Sequence, residues 1–147
     1  MAAGAWTVYN EAKKYIGNAT LNLSTAKRIT LHTSASNANT ATLSVFSELT
    51  GEVTSGTGYC SSGKALASIV WTALASAGSY ALDAADVVWT GTGGTIANIK
   101  FAVISNTSGG ASGKLLCRSQ LTSAQFTLAS ANTLTLQFNA AGIITLT

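Results

Sequence analysis

The sequence predicts an all-β protein, a jelly-roll-like sandwich of two antiparallel sheets with about eight strands, with an immunoglobulin-like sandwich as the alternative. Three observations predict it. Beyond Asn18, apolar residues alternate with polar ones in run after run, the period of a half-buried strand. Clusters of Gly, Ser and Asn interrupt those runs at intervals of roughly 8–12 residues, as in sandwiches and barrels. Threonine, with 21 residues, is β-branched and suits a pleated, half-buried surface. A length of 147 residues fits a single domain over 1–147, with 1–17 as an N-terminal helical arm.

The arm comes first. Val8, Ala12, Tyr15 and Ile16 follow the i, i+4, i+7, i+8 spacing of one helical face. Thr7 is placed to cap it, Glu11 lies early and Lys13 and Lys14 late, and Gly17 can close it in the left-handed conformation. Trp6 and Tyr9 flank the helix. Rings of this size at a chain end either plug the domain's own core or dock on a partner, and aromatics are enriched in interface cores. Trp6, Tyr9, Lys13 and Lys14 are therefore the candidate protein interface.

After Asn18 the period becomes two. Leu21 and Leu23, then Ile29, Leu31 and Thr33, predict a strand or a hairpin bent near Ser24-Thr25-Ala26. Residues 34–40 form a loop. Leu43, Phe46 and Leu49, three apart, predict a short helical turn. Residues 50–63 are rich in Gly, Ser and Thr and predict an ordered loop with at most a short edge strand. Strands then centre on Ala67 to Ala73, Tyr80 to Leu82, Val87 to Trp89, Ile99 to Val103, Leu115 to Arg118, Phe126 to Leu128, Leu134 to Phe138 and Ile143 to Leu146. Between them stand turns at Gly78-Ser79, 83–86, 91–94 and 106–113.

Ala, Ser, Thr and Gly supply 77 residues, charged residues only 9%, and proline none. The hydrophobic share of 47% excludes disorder, which needs low hydrophobicity and high net charge. A net charge of +3 does little to hold copies apart, so self-association or a larger partner is expected. No nucleic-acid footprint is expected: the basic pairs Lys13-Lys14 and Lys27-Arg28 are isolated, and a footprint is a clustered stripe. No apolar run approaches the roughly 18 residues of a membrane span. Met1 to Ala5 has no secretory character, so the chain is expected to stay in the cytoplasm where it is made. Cys60 and Cys117 are expected to be small buried hydrophobes rather than a disulfide framework.

Chemistry-bearing patterns are sparse. Residues Gly58 to Lys64 match the first seven positions of a phosphate-binding loop, but the magnesium-binding hydroxyl position is Ala65, and a strand rather than a helix is predicted after it. His32 is the single histidine; a zinc site needs three or four clustered ligands, and no Gly-x-Ser-x-Gly elbow accompanies it. It is expected on an exposed or edge strand. Five acids remain, with Glu48/Glu52 and Asp83/Asp86 the close pairs; Asp83 and Asp86 are expected to bond turn backbone. Sequons at Asn18, Asn22 and Asn106 carry no weight without a leader. Acid–base chemistry draws on His, Asp, Glu and Lys, and here they are few and scattered. No catalytic residue, metal site or cofactor is expected, and the chain is expected not to be an enzyme. Trp71, Trp89 and Tyr80 leave a sugar-stacking module as a rival reading, set against ordinary buried sandwich aromatics.

Several stretches resemble one set of proteins. Trp6-Thr7-Val8-Tyr9-Asn10, Ile16-Gly17, and Ile29 to Ser34 are the first. Thr50-Gly51-Glu52-Val53, Gly58-Tyr59, Leu66-Ala67, Asp83 to Trp89 and Ile99 to Ile104 continue it almost end to end. These segments resemble small proteins of tailed bacteriophages, the capsid cement or decoration proteins of jelly-roll type. The resemblance implies a virion structural protein, made in the host cytoplasm and bound as a homodimer to the outside of the assembled head. Its partners would be the major capsid protein and a second copy of itself. A phage tail or fibre binding module is the alternative role.

Overall fold

The computed structural model describes residues 4–107 and 110–147. Its strands are β1 (Thr7–Val8), β2 (Lys27–Thr33), β3 (Lys64–Ala65), β4 (Val70–Ala73), β5 (Tyr80–Asp83) and β6 (Val87–Thr90). They continue as β7 (Ile96–Asn106), β8 (Leu115–Gln120), β9 (Phe126–Leu128), β10 (Thr133–Leu136) and β11 (Ile144–Leu146). Among the described residues the only α-helix is α1 (Asn10–Gly17), and the predicted turn at Phe46 is a 3₁₀ helix, Phe46–Glu48. Among the described residues no helix is long and apolar enough to cross a membrane.

The fold is the antiparallel all-β sandwich that the patterning predicts. The large sheet runs β1-β8-β7-β2-β3, with β9 also on β7; two smaller sheets, β10-β6 and β11-β5-β4, complete it. The expected second sheet is thus divided in two, and several predicted strands shorten to two to four residues.

Register explains why the middle of the large sheet is buried on both sides. Residues directly opposite in an antiparallel pair share a face. Ile29 lies opposite Ile104 and Leu31 opposite Ala102; Ile104 pairs with Cys117 and Cys117 with Val8. That face looks toward the smaller sheets. Trp6 packs against Phe138 at 5.8 Å between ring centres, and Leu82, Trp89, Leu134, Leu136 and Ile144 join Ile29, Leu31 and Ile104 in one buried cluster. The other face carries Arg28, Thr30 and His32 opposite Ser105, Val103 and Phe101. Helix α1 and residues 34–50 cover it. The Arg28 guanidinium lies 4.1 Å from the Phe46 ring centre, Arg118 lies 5.1 Å from that of Tyr9, and the Tyr15 and Ser44 hydroxyls meet at 2.5 Å.

Several expectations change. Within the predicted helical arm, the helix covers only Asn10–Gly17 and is preceded by strand β1. Thr7 does not cap the helix but lies in β1, paired with Arg118 of β8. Tyr9 occupies the N-cap position without a side-chain bond, and Gly17 is the last helical residue. The left-handed residue is Ala19, at φ 58°. Residues 19–26 form no strand, because their backbone groups are used locally. Leu21 N donates to Tyr15 O at 2.9 Å and Ser24 N to Asn22 Oδ1 at 2.8 Å. The buried Lys27 ammonium donates to Asn22 O and Thr25 O, each at 2.7 Å. Leu21 and Leu23 still reach the core, from a loop. Cys117 is buried as expected, but Cys60 is exposed. In the 106–113 turn, Ser108 and Gly109 lie outside the described residues, and so does the end of the Asn106 sequon.

Candidate functional site

The four residues proposed as an interface do not share one surface. Tyr9 is fully buried and its hydroxyl donates to Ala38 O at 2.8 Å, so it belongs to the core. Burial among these groups pushes its hydroxyl well above the ordinary tyrosine range. Trp6 is half-buried against Phe138. Lys13 and Lys14 are exposed, and Lys14 sits 3.5 Å from Glu11, one turn back on the helix. Lys13 borders an apolar surface groove, and Trp6 lines a separate hollow with Asn139 and Ile143.

That groove is the most conspicuous apolar feature of the surface. Sheet β11-β5-β4 buries Leu82 and Ile144, but the same face extends past the core as Tyr80 and Leu146, which are 46% and 48% exposed. Trp71 stacks on Tyr80 with ring centres 6.1 Å apart and planes 15° from parallel. Ile16 of α1 and Leu23 of the following loop form the facing wall. Two connected hollows result, of about 400 Å³ beside Trp71 and about 260 Å³ beside Val8, Lys13 and Ile144. Three residues in a row, Ile144, Thr145 and Leu146, line the second. Successive strand side chains alternate faces, so the hollow runs along the strand edge. That edge is open, since β11 is the outermost strand of its sheet.

The chemistry-bearing residues are engaged elsewhere in holding the fold. His32 is not exposed: it is fully buried in β2, with Phe101 opposite on one side and Glu52 on the other. Its Nδ1 lies 3.2 Å from Thr50 O. A carbonyl only accepts, so Nδ1 carries the proton and Nε2 accepts from Thr30 Oγ1, 2.9 Å away. Burial pulls its pKa down to about 4, which keeps this neutral tautomer in place. Glu52 Oε1 accepts from the Tyr59 hydroxyl at 2.8 Å and from Ser62 N at 2.7 Å. Glu48 accepts from Ser44 N at the start of its 3₁₀ turn. Asp83 ends strand β5 and accepts from Ala84 N, and Asp86 reaches across to Phe138 N, so the predicted turn at 83–86 is a short extended link instead. Among the described residues no three of His, Cys, Asp and Glu gather as metal ligands.

The phosphate-loop pattern also has a packing explanation. Gly58 and Gly63 adopt φ of +99° and +69°, and a β-carbon on either would sit 1.9 Å from a backbone oxygen, of Thr90 and Ile29 respectively. Both glycines allow one chain segment to lie directly on another. Lys64 begins strand β3 and donates to Val88 O at 2.6 Å. Of the three aromatics offered for sugar stacking, Trp89 is fully buried, while Trp71 and Tyr80 form the half-exposed pair in the groove.

Leu146, Ile16 and Leu23 were not singled out as a site by sequence. Period-two and helical patterns mark each as a core residue, and only the tertiary arrangement brings these three elements to one groove. No family model matches the chain, and neither a curated protein nor a solved structure matches it.

Proposed function

We propose that this chain is a non-enzymatic virion protein that cements a phage capsid, binding the outside of the assembled head and bridging neighbouring capsid subunits. The observation that carries the reading is the open apolar groove along β11, on a surface otherwise weakly charged and rich in hydroxyls. A cement protein adds buried area across a lattice, and many modest contacts repeated over that lattice give avidity. An open strand edge suits such contacts, because its free backbone groups accept an added strand. The engagement of His32 and the five acids within the fold supports a role in packing over one in chemistry. The phage assignment itself rests on the sequence resemblance.

Binding to the assembled shell and not to free subunits stabilises the shell by mass action, by about 2.7 kcal/mol per site at a hundredfold excess over Kd. Heating purified heads with and without the protein tests this. The reading expects disassembly at a higher temperature when the protein is bound; an unchanged temperature overturns it.

A second reading, a tail or fibre module that binds glycans, is favoured by one observation. Trp71, stacked on Tyr80, lines one hollow with Asn22 and Ser24, which gives an aromatic face a neutral polar fringe. Binding on a glycan array that is lost in Trp71→Ala supports it, and an empty array removes it.

A further inference from the structure

We infer that the groove between α1 and β11 takes a short extended segment of a partner protein, apolar at alternate positions and flanked by acidic side chains, added as a strand to the edge of β11. The inference rests on the reading of this chain as a capsid-binding protein and names the surface and the partner chemistry. Three observations carry it. The first is the shape: Ile144, Thr145 and Leu146 all line the hollow at an open sheet edge, with Val8, Ile16 and Leu23 as an apolar wall opposite. An added strand pairs its backbone with that edge and sends alternate side chains toward the wall. Three residues of strand span about 10 Å, so the segment that pairs is only three to five residues long. The second is exposure. Leu146 and Tyr80 are cross-strand partners, and among the described residues each is left nearly half-exposed.

The third is charge. The residues that line the two hollows include one charged side chain, Lys13, and no acid. The one acid on α1, Glu11, is already paired with Lys14. The charge at the groove is therefore positive. A second copy docking by two-fold symmetry would bring this patch against itself, lysine to lysine, whereas an acidic partner completes it. The occupant is thus a different protein, and in the cement reading an acidic-flanked loop or arm of the capsid subunit.

The test uses the full chain and the purified, assembled heads of the phage that encodes it. Co-sedimentation is measured for the unaltered protein, Leu146→Asp, Lys13→Glu and Val88→Asp. Val88 is 43% exposed on β6, outside the groove, and serves as the control. Circular dichroism melts confirm that each variant folds. The inference expects head affinity to fall at least tenfold in Leu146→Asp and Lys13→Glu and to persist in Val88→Asp. Head binding by both groove variants at full affinity overturns the inference and leaves the cement reading standing. Failure of the unaltered protein to bind heads overturns both. Light scattering gives a further check: a dimer that Leu146→Asp converts to monomer makes the occupant a second copy, and the inference fails.

Discussion

Tyr80 and Leu146 face each other across strands β5 and β11, and each leaves nearly half of its surface in water. Two residues earlier and later on the same face, Leu82 and Ile144 are also partners and are buried. One face of one sheet therefore begins in the core and ends outside it. Large apolar side chains scattered singly on a surface are ordinary, but Trp71, Tyr80 and Leu146 are contiguous, which is why the contact site is proposed there.

This geometry separates stability from binding. Leu146→Asp removes little buried surface and is expected to change unfolding free energy by no more than about 1 kcal/mol. Leu31→Ala, in the fully buried centre of β2, is expected to cost about 2–5 kcal/mol through lost transfer energy and the cavity left behind. Urea midpoints of the two variants measure the contrast. Equal losses would mean that Leu146 is part of the core.

A buried tyrosine ties the long loop to the large sheet. Tyr59 is 1% exposed; its hydroxyl donates to Glu52 and accepts from Leu31 N at 3.1 Å. Tyr59→Phe keeps the ring but strands the buried Leu31 N–H and removes one of the two donors to Glu52 Oε1. An unmet buried group costs about 1–3 kcal/mol, so the variant is expected to lose that much stability. Chemical denaturation checks it, and an unchanged midpoint would show that water replaces the hydroxyl.

His32 sets an acid limit on the fold. Its folded pKa of about 4 lies below the ordinary histidine value of 6.5, so between these values the unfolded chain binds more protons. Its contribution is complete above pH 6.5 and is lost as the pH falls toward 4, at up to about 1.4 kcal/mol per pH unit. His32→Gln is expected to flatten that part of the profile. Denaturation midpoints at pH 7, 6, 5 and 4.5 test it; a variant with the same slope as the unaltered protein would assign the acid sensitivity elsewhere.

The glycines of the phosphate-loop pattern are expected to act on folding. In Gly63→Ala the new β-carbon would meet Ile29 O at 1.9 Å in a left-handed conformation. Strain of this kind costs on the order of 1–3 kcal/mol before the clash is counted. A melting temperature lower by several degrees, with no change in nucleotide binding by calorimetry, is the expected result. Measurable binding of ATP to the unaltered chain would reverse it.

The strands were legible because their residues obey a local rule. Ile99, Phe101 and Val103 alternate, and β7 forms there; Leu43, Phe46 and Leu49 recur every third residue, and a 3₁₀ turn forms among them. Where local signals misled, side chains had taken over the backbone or another segment had covered the face. Leu21 and Leu23 alternate like a strand, but the Lys27 ammonium and the Asn22 side chain hold that segment as a loop. His32 looks like a surface residue within a period of two, yet residues 34–50 fold back over its face and bury it. The candidate interface was legible only at Lys13. Tyr9 was lost to the core because Ala38, 29 residues away, supplies its acceptor. Leu146 was missed because the groove depends on a helix, a loop and a sheet edge meeting, and no spacing in the sequence records that.

Packing of this chain on an assembled protein shell, as proposed, is visible in a cryo-microscopy reconstruction of the virion. The expected result is density matching this fold at regular positions on the outside of the head, with the β11 edge and α1 against capsid subunits. Density for the chain on the tail, or its absence from the particle, would contradict it.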